Sequence, residues 1–220
     1  MVAAPLDHVA LATSGFVHVQ GAIPSDRIGA LASLSPTAGA GTRLPLGAPL
    51  VTAALRFLAP IAADWRHDAR AVRCVLFDKS AANNWLVPWH QDRTIAVAKR
   101  VPVAGFGPWS IKHGVDHVEP PFALLADMIT MRLHIDDCRA DNAPLRVVAG
   151  THRQRYRAAD VAAIAQAGTI ATCIAAAGDV WVYSTPIVHA SHSAVNPSRR
   201  RVLQIDFCAS QLPVGLDWAA

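Results

Sequence analysis

From Ala71 to Phe207 the sequence is a succession of short β-rich apolar runs separated by turn residues. Nothing else in it constrains the fold as strongly. "AVRCVLF" (Ala71–Phe77), "ITMRLHI" (Ile129–Ile135), "PLRVVAG" (Pro144–Gly150) and "GDVWVYST" (Gly178–Thr185) each have strand length and strand composition. "IVHASHSAV" and "RRVLQIDFCA" add two more, joined by "NPS". Ahead of them, "GFVHVQGAI" (Gly15–Ile23) alternates as a strand, "PSDRIGALASL" opens a helix with Ser25 as its N-cap, and Val51–Asp64 has helical spacing. One later helix is expected over Ala158–Gly168, ended by its glycine. Strands and helices do not alternate regularly, which argues against a parallel doubly wound sheet. The pattern predicts a mainly β fold, an antiparallel sandwich or barrel with helices on one side.

With 220 residues the chain fits one domain with a sizeable core, taken as 1–220. Apolar residues make up 52% and charged residues 16%, so disorder is excluded. The richest apolar stretch, "VTAALRFLAPIAADW", is broken by Arg56 and Pro60, so no membrane span or membrane partner is expected. The opening "MVAAPLDHVALATSG" has no basic segment ahead of an apolar one, and the expected location is cytoplasmic. Cys74, Cys138, Cys173 and Cys208 have neither CxxC nor zinc-ribbon spacing and read as buried free thiols. A formal net charge of +4 raises nucleic acid as a partner, but the basic residues are dispersed. The run Arg199-Arg200-Arg201 has no nucleic-acid motif beside it, so no nucleic-acid partner is expected. The proline- and glycine-rich stretch 93–127 reads as a long segment of little regular structure, a lid or substrate loop.

The segment "VPWHQDRT" (Val87–Thr94) carries the chemistry. Side chains two apart on a strand share a face, so the imidazole of His90 and the carboxylate of Asp92 converge while Gln91 faces away. Two histidines and one carboxylate on one octahedral face hold iron(II) in oxygen-activating enzymes and leave positions open. Among ten histidines, His189 in "STPIVHASHSA" is a candidate for the second imidazole. A guanidinium is then wanted for the far carboxylate of a keto acid such as 2-oxoglutarate. If 189–195 and 199–207 form a hairpin, Arg200 lies opposite about Val195, roughly 15–20 Å along the strand from His189.

The segments "GFVHVQGAIP", "LFDKSAANNWLVPWHQD", "DNAPLRVVAGTH", "GDVWVYSTPIVHASHSA" and "RRRVLQIDF" together resemble the phytanoyl-CoA dioxygenase family of non-haem iron, 2-oxoglutarate-dependent oxygenases. They occur in the family's order from about Gly15 to Phe207. The resemblance implies a double-stranded β-helix of the jelly-roll or cupin-like kind, with Fe(II), 2-oxoglutarate and O2 as cofactor and co-substrates. It implies His90, Asp92 and His189 as iron ligands and Arg200 and Ser191 as co-substrate contacts. It implies hydroxylation of a small-molecule substrate, because halogenating relatives replace the carboxylate ligand that Asp92 supplies here. The alternative is a metal-free binding or regulatory module on the same fold. The chain departs from the family's "NGPL" at Asn142-Ala143-Pro144-Leu145, and places Arg132 where an aromatic co-substrate contact is common.

Arg132 and His134 share a face and are candidates for the keto acid or the substrate. Leu203, Ile205 and Phe207 share parity with Arg201; if they pack outward on helices, Arg200, Val202, Gln204 and Asp206 face the cavity. Arg200 is therefore the candidate and Arg201 the alternative. Trp85 and Trp109 are candidate pocket walls, and Lys79 either reaches the cavity or makes a surface salt bridge. His113 and His117, an HxxxH pair, read as loop residues because Gly114 and the flanking prolines argue against a helix.

Overall fold

The computed structural model describes residues 5–35 and 41–219. Met1–Ala4, which begin the segment read for a leader, lie outside the described residues. The chain opens with α1 (His8–Thr13), β1 (Phe16–Val19), α2 (Ser25–Leu31), β2 (Gly41–Arg43) and α3 (Pro49–Trp65). Next come β3 (Arg70–Lys79), β4 (Val87–His90), β5 (Ile95–Val97), β6 (Trp109–Lys112), β7 (Val115–Val118) and α4 (Phe122–Ala126). The remainder is β8 (Met128–His134), β9 (Leu145–Val148), α5 (Val161–Ala167), β10 (Ile170–Cys173), β11 (Val180–Ser184), β12 (His189–Ser191) and β13 (Arg200–Cys208).

One sheet has the order β1-β11-β8-β13-β3-β2 and a second the order β10-β9-β12-β4, all pairings antiparallel. The connections β3 to β4, β8 to β9, β10 to β11 and β12 to β13 each step from one sheet to the other. That interleaving of two four-stranded sheets is the double-stranded β-helix; β1 and β2 extend the larger sheet at its two edges.

Period-2 alternation sorts the larger sheet into two unlike faces. Cys74 and Leu76 of β3, Ile129, Met131 and Leu133 of β8, and Leu203, Ile205 and Phe207 of β13 pack into the main core with Val51, Ala54, Leu58 and Ile61 of α3. Complete burial of a leucine or isoleucine there contributes roughly 1.5–3 kcal/mol. The opposite face carries Arg73, Lys79, Arg132, Gln204 and Asp206. A sheet with this many polar groups on its inner face encloses a site and not a second core.

Several expectations change. The hairpin between 189–195 and 199–207 does not form: β12 pairs with β4 and β9, and β13 with β3 and β8. Segment 93–127 holds β5, β6, β7 and α4, the strands forming the sheet β5-β7-β6. Its turn residue His113 has a φ of 50° and Gly114 a φ of 77°, while His117 lies in β7 and is buried. Ser25 is the first residue of α2, whose N-cap is Pro24 with no side-chain cap. Gly168 ends α5 in an extended conformation; a Cβ there would lie 2.4 Å from Val148 Cγ1, so close packing and not a left-handed cap requires the glycine. The four cysteines are free and buried, as expected. No helix among the described residues is long and apolar enough to cross a membrane.

Candidate metal centre and its cavity

His90 closes β4, and Asp92 follows two residues later, just past the strand. His189 opens β12 directly opposite His90 in the antiparallel register. The two rings lie 4.2 Å apart, tilted by 55°. One ligand atom from each of His90, Asp92 and His189 lies within 4.8 Å of the others. Each imidazole uses Nδ1 on a backbone carbonyl two residues back: His90 on Pro88 at 2.8 Å and His189 on Ile187 at 2.9 Å. A carbonyl accepts only, so Nδ1 carries the hydrogen and Nε2 keeps a lone pair for a metal. His90 Nε2 stands 4.0 Å from Asp92 Oδ1.

The electrostatics suit ligation. Burial lowers His189 to about 4, outweighing the nearby Asp92, so the ring is neutral at neutral pH. Burial alone would raise Asp92, but His189, Arg73 and His90 hold it below the usual carboxylate range.

A cavity of about 170 Å³ opens onto this cluster, with Lys79, Arg132 and Arg200 in its wall. Arg200 is 2% exposed, and its Nε and Nη1 have no hydrogen-bond partner. Burial, with Arg132 adding to it, lowers its guanidinium to about 10, still charged at neutral pH. Arg132 donates from Nη1 to Gln204 Oε1 at 2.7 Å and lies 5.2 Å over the Phe77 ring, and its Nε is unpartnered. Lys79 Nζ donates to Ser191 Oγ at 3.0 Å and to the His192 carbonyl at 2.8 Å, 4.9 Å from the Trp85 ring centre. Burial, then Arg200 and Arg132, lower it to about 8. Ser191 Oγ in turn donates to the Ala143 carbonyl at 3.0 Å. Asp92 is the one carboxylate lining this cavity among the described residues. Buried cations without counter-charge are costly unless an anion completes them.

The candidates separate cleanly. Trp85, Ser191, Arg132 and Arg200 line the cavity with His90, Asp92 and His189. Arg201 faces the other way, pairing with Asp136 and donating to the Ala32 carbonyl at the end of α2. His134, the last residue of β8, is 1% exposed with both ring nitrogens unpartnered and is not part of the cavity lining. Trp109 packs with Val97 and Val118 in a separate core, under Arg100, and not on the cavity. Lys79 makes no surface salt bridge; it is 2% exposed and opposite Arg200 in the β3–β13 register. Of the two readings offered for it, the cavity one is the one that its register opposite Arg200 supports.

Two neighbours support the centre from outside. Gln91 points away and is itself buried; Nε2 donates to the carbonyls of Pro186 (2.7 Å) and Gln154 (2.9 Å), with the Thr151 carbonyl 3.4 Å away, and Oε1 accepts from the Tyr156 N–H (2.9 Å). It ties the His90–Asp92 segment to the turn that leads into His189. Gln91→Ala strands several buried backbone groups at ~1–3 kcal/mol each, so chemical denaturation should show a loss of about 3 kcal/mol. Ala143, which replaces the glycine of the "NGPL" pattern, has a φ of 53°. That conformation costs an L residue ~1–2 kcal/mol, partly offset by glycine's greater unfolded-state entropy. Ala143→Gly should therefore raise stability by up to about 1 kcal/mol in the same assay.

The fold has structural counterparts among solved proteins. AviO1 from Streptomyces viridochromogenes Tue57 superposes with a TM-score of 0.68 at 21% identity, over 96% of this chain and 98% of that one. HygX from Streptomyces hygroscopicus, solved with nickel and 2-oxoglutarate bound, gives 0.64 at 13% identity, over 94% and 88%. The epimerase SnoN, in complex with Fe3+, alpha ketoglutarate and nogalamycin RO, gives 0.67 at 14% identity, over 94% and 85%. At these identities the likeness establishes the shared fold. No curated protein matches the sequence. The family model for phytanoyl-CoA dioxygenase (PhyH) matches residues 47–202, from the start of the long helix α3 into β13, with His90, Asp92, His189 and Arg200 inside the match. A match over more than two thirds of the chain makes it a member of the phytanoyl-CoA dioxygenase family.

Proposed function

We propose that this chain is a non-haem Fe(II)- and 2-oxoglutarate-dependent dioxygenase of one domain that hydroxylates a C–H bond of a small molecule. The observation that carries the reading is the His90, Asp92 and His189 cluster, drawn within 4.8 Å beside a wall of unpaired buried cations. Two neutral imidazoles offering Nε2 and one carboxylate suit a divalent ion with positions left open. When bound there, ferrous iron supplies oxidation of the substrate C–H bond, with the keto acid cleaved to succinate and CO2 as O2 is consumed. The protein's part is placement. His90 and His189 are held by their Nδ1 bonds to Pro88 and Ile187. Arg200, with Nε and Nη1 unpartnered, receives the far carboxylate of the keto acid. Lys79 and Arg132 add positive charge around it, and Ser191 is fixed between Lys79 and Ala143. The carboxylate of Asp92 keeps a third protein ligand in place, the arrangement that favours hydroxylation.

SnoN is described as an epimerase on a similar fold, so product analysis must decide the outcome on a substrate. The coarser reading needs no substrate. Incubation in air with Fe(II) and 2-oxoglutarate should release succinate at a slow uncoupled rate, and His90→Ala should release none. A wild-type protein that yields no succinate with both present would favour the metal-free binding module.

Lys79 predicts the pH dependence. It titrates near 8 in the free protein, and an anion beside it favours its charged form. Affinity for 2-oxoglutarate should therefore be level below pH 8 and fall as pH rises above it. Calorimetric titration across pH 7–9 checks this, and Lys79→Met should remove the slope.

A further inference from the structure

A second cavity, of about 610 Å³, adjoins the first. Arg73 and Phe77 line both, so the two share a wall. The smaller one, about 170 Å³, has room for a compact co-substrate and little else. The larger falls within the ~300–1,000 Å³ of typical ligand clefts. Gly41–Arg43 of β2 form one side of it, and Lys112, His113 and His117 of the β6–β7 hairpin form another.

Its charge is one-sided. Arg43, Arg73 and Lys112 line it, and no carboxylate among the described residues does. Arg73 is already paired with Asp206 at 3.2 Å. Arg43 has no carboxylate partner among the described residues, and its Nη2 is buried with no hydrogen-bond partner. Burial, and then Arg73, push its guanidinium below its ordinary value, so the charge is held at a cost. Lys112 is exposed; its Nζ donates to the hydroxyl of Thr94 at 2.9 Å and forms no salt bridge among the described residues. The β2–β3 pairing, Arg43 opposite Val75, holds Arg43 on a sheet and not on a mobile loop. A guanidinium and an ammonium facing one chamber, neither in a salt bridge among the described residues, suit a phosphate or carboxylate.

We propose that this second cavity is the chamber for the molecule to be oxidised, and that it takes a small molecule bearing a phosphate or carboxylate group held by Arg43 and Lys112. In calling that molecule the one oxidised, the proposal rests on the oxygenase reading of the neighbouring cavity. The anion site itself does not, and it is tested without iron or keto acid. Phenyl phosphate, benzoate and uncharged benzyl alcohol are titrated into the full chain and followed by ligand-observed saturation-transfer NMR.

At least one of the two anions should bind, and benzyl alcohol should bind at least ~10-fold more weakly, as expected when a charge-assisted bidentate contact is absent. The tighter anion identifies the group as phosphate or carboxylate. Arg43→Gln and Lys112→Gln, made singly and together and checked for unchanged melting, should each weaken the anion, by ~10-fold or more for the pair. Arg200→Met should leave it bound. Equal binding of benzyl alcohol, no binding of either anion, or loss in Arg200→Met with retention in the paired variant would overturn the proposal. A wild-type chain that binds the anion but makes no succinate would sink the oxygenase reading and leave the anion site standing.

Discussion

Arg200→Met should do two opposite things: raise the stability of the free protein, or leave it unchanged, and weaken 2-oxoglutarate by about 100-fold or more. The sign of the first follows from burial. Arg200 is 2% exposed, with Nε and Nη1 unpartnered, and no salt bridge among the described residues includes it. Replacing a buried uncompensated charge by an apolar side chain of similar volume is often neutral or stabilising, by ~1–4 kcal/mol. The second follows from the chemistry of the lost contact. Hydrogen bonds to charged groups contribute ~1.5–3 kcal/mol each, and a two-pronged contact with a carboxylate loses both, equivalent to roughly two to four decades of affinity. Arg200→Lys should recover only part, because an ammonium cannot reproduce the planar fork. Urea denaturation reads the stability, and calorimetry reads the affinity. Iron binding should persist, since Arg200 stands on β13 of the larger sheet and His189 on β12 of the smaller. A variant that is destabilised and keeps its keto acid affinity would show that Arg200 is a structural residue.

His189→Ala has the opposite profile: little change in fold and loss of the metal. Disturbing a residue that merely orients a metal ligand costs ~10–100-fold in affinity, so removal of a ligand should cost more than about 100-fold. The structural price is small, because the ring's one hydrogen bond goes to the Ile187 carbonyl, and a single such bond contributes about 1 kcal/mol. Metal content after gel filtration in Fe(II) should fall from near one equivalent to background, with the melting transition still cooperative. Iron retained at full stoichiometry would remove His189 from the ligand set.

Local features of the site were legible in the sequence and relational ones were not. His90 and Asp92 stand two residues apart, so one segment brings them together whatever the rest of the chain does. Parity on β13 separated Arg200 from Arg201, because Leu203, Ile205 and Phe207 had to meet α3. Which sheet a strand joins is not written in the strand. The turn at Asn196-Pro197-Ser198 is compatible with a hairpin or with a step between sheets, and the chain takes the step. Sequence alone leaves Lys79 between the cavity and a surface salt bridge, because the position opposite it, Arg200, lies 121 residues away in the chain. In segment 93–127 the strands are only three or four residues long and lie between prolines and glycines, too short for a period to emerge. His134 and Trp109 have the right residue types for a pocket, but His134 is enclosed at the last position of β8 and Trp109 joins the separate core around β5 and β7.

On the proposed reading, His90, Asp92 and His189 hold iron with the keto acid bound beside it. The most direct measurement is an anaerobic titration of the protein with Fe(II) and 2-oxoglutarate, followed in the visible. A weak charge-transfer band should grow only when both are present, saturate near one equivalent of iron, and be absent in His90→Ala. No band in the wild-type protein with iron and keto acid in excess would contradict the account.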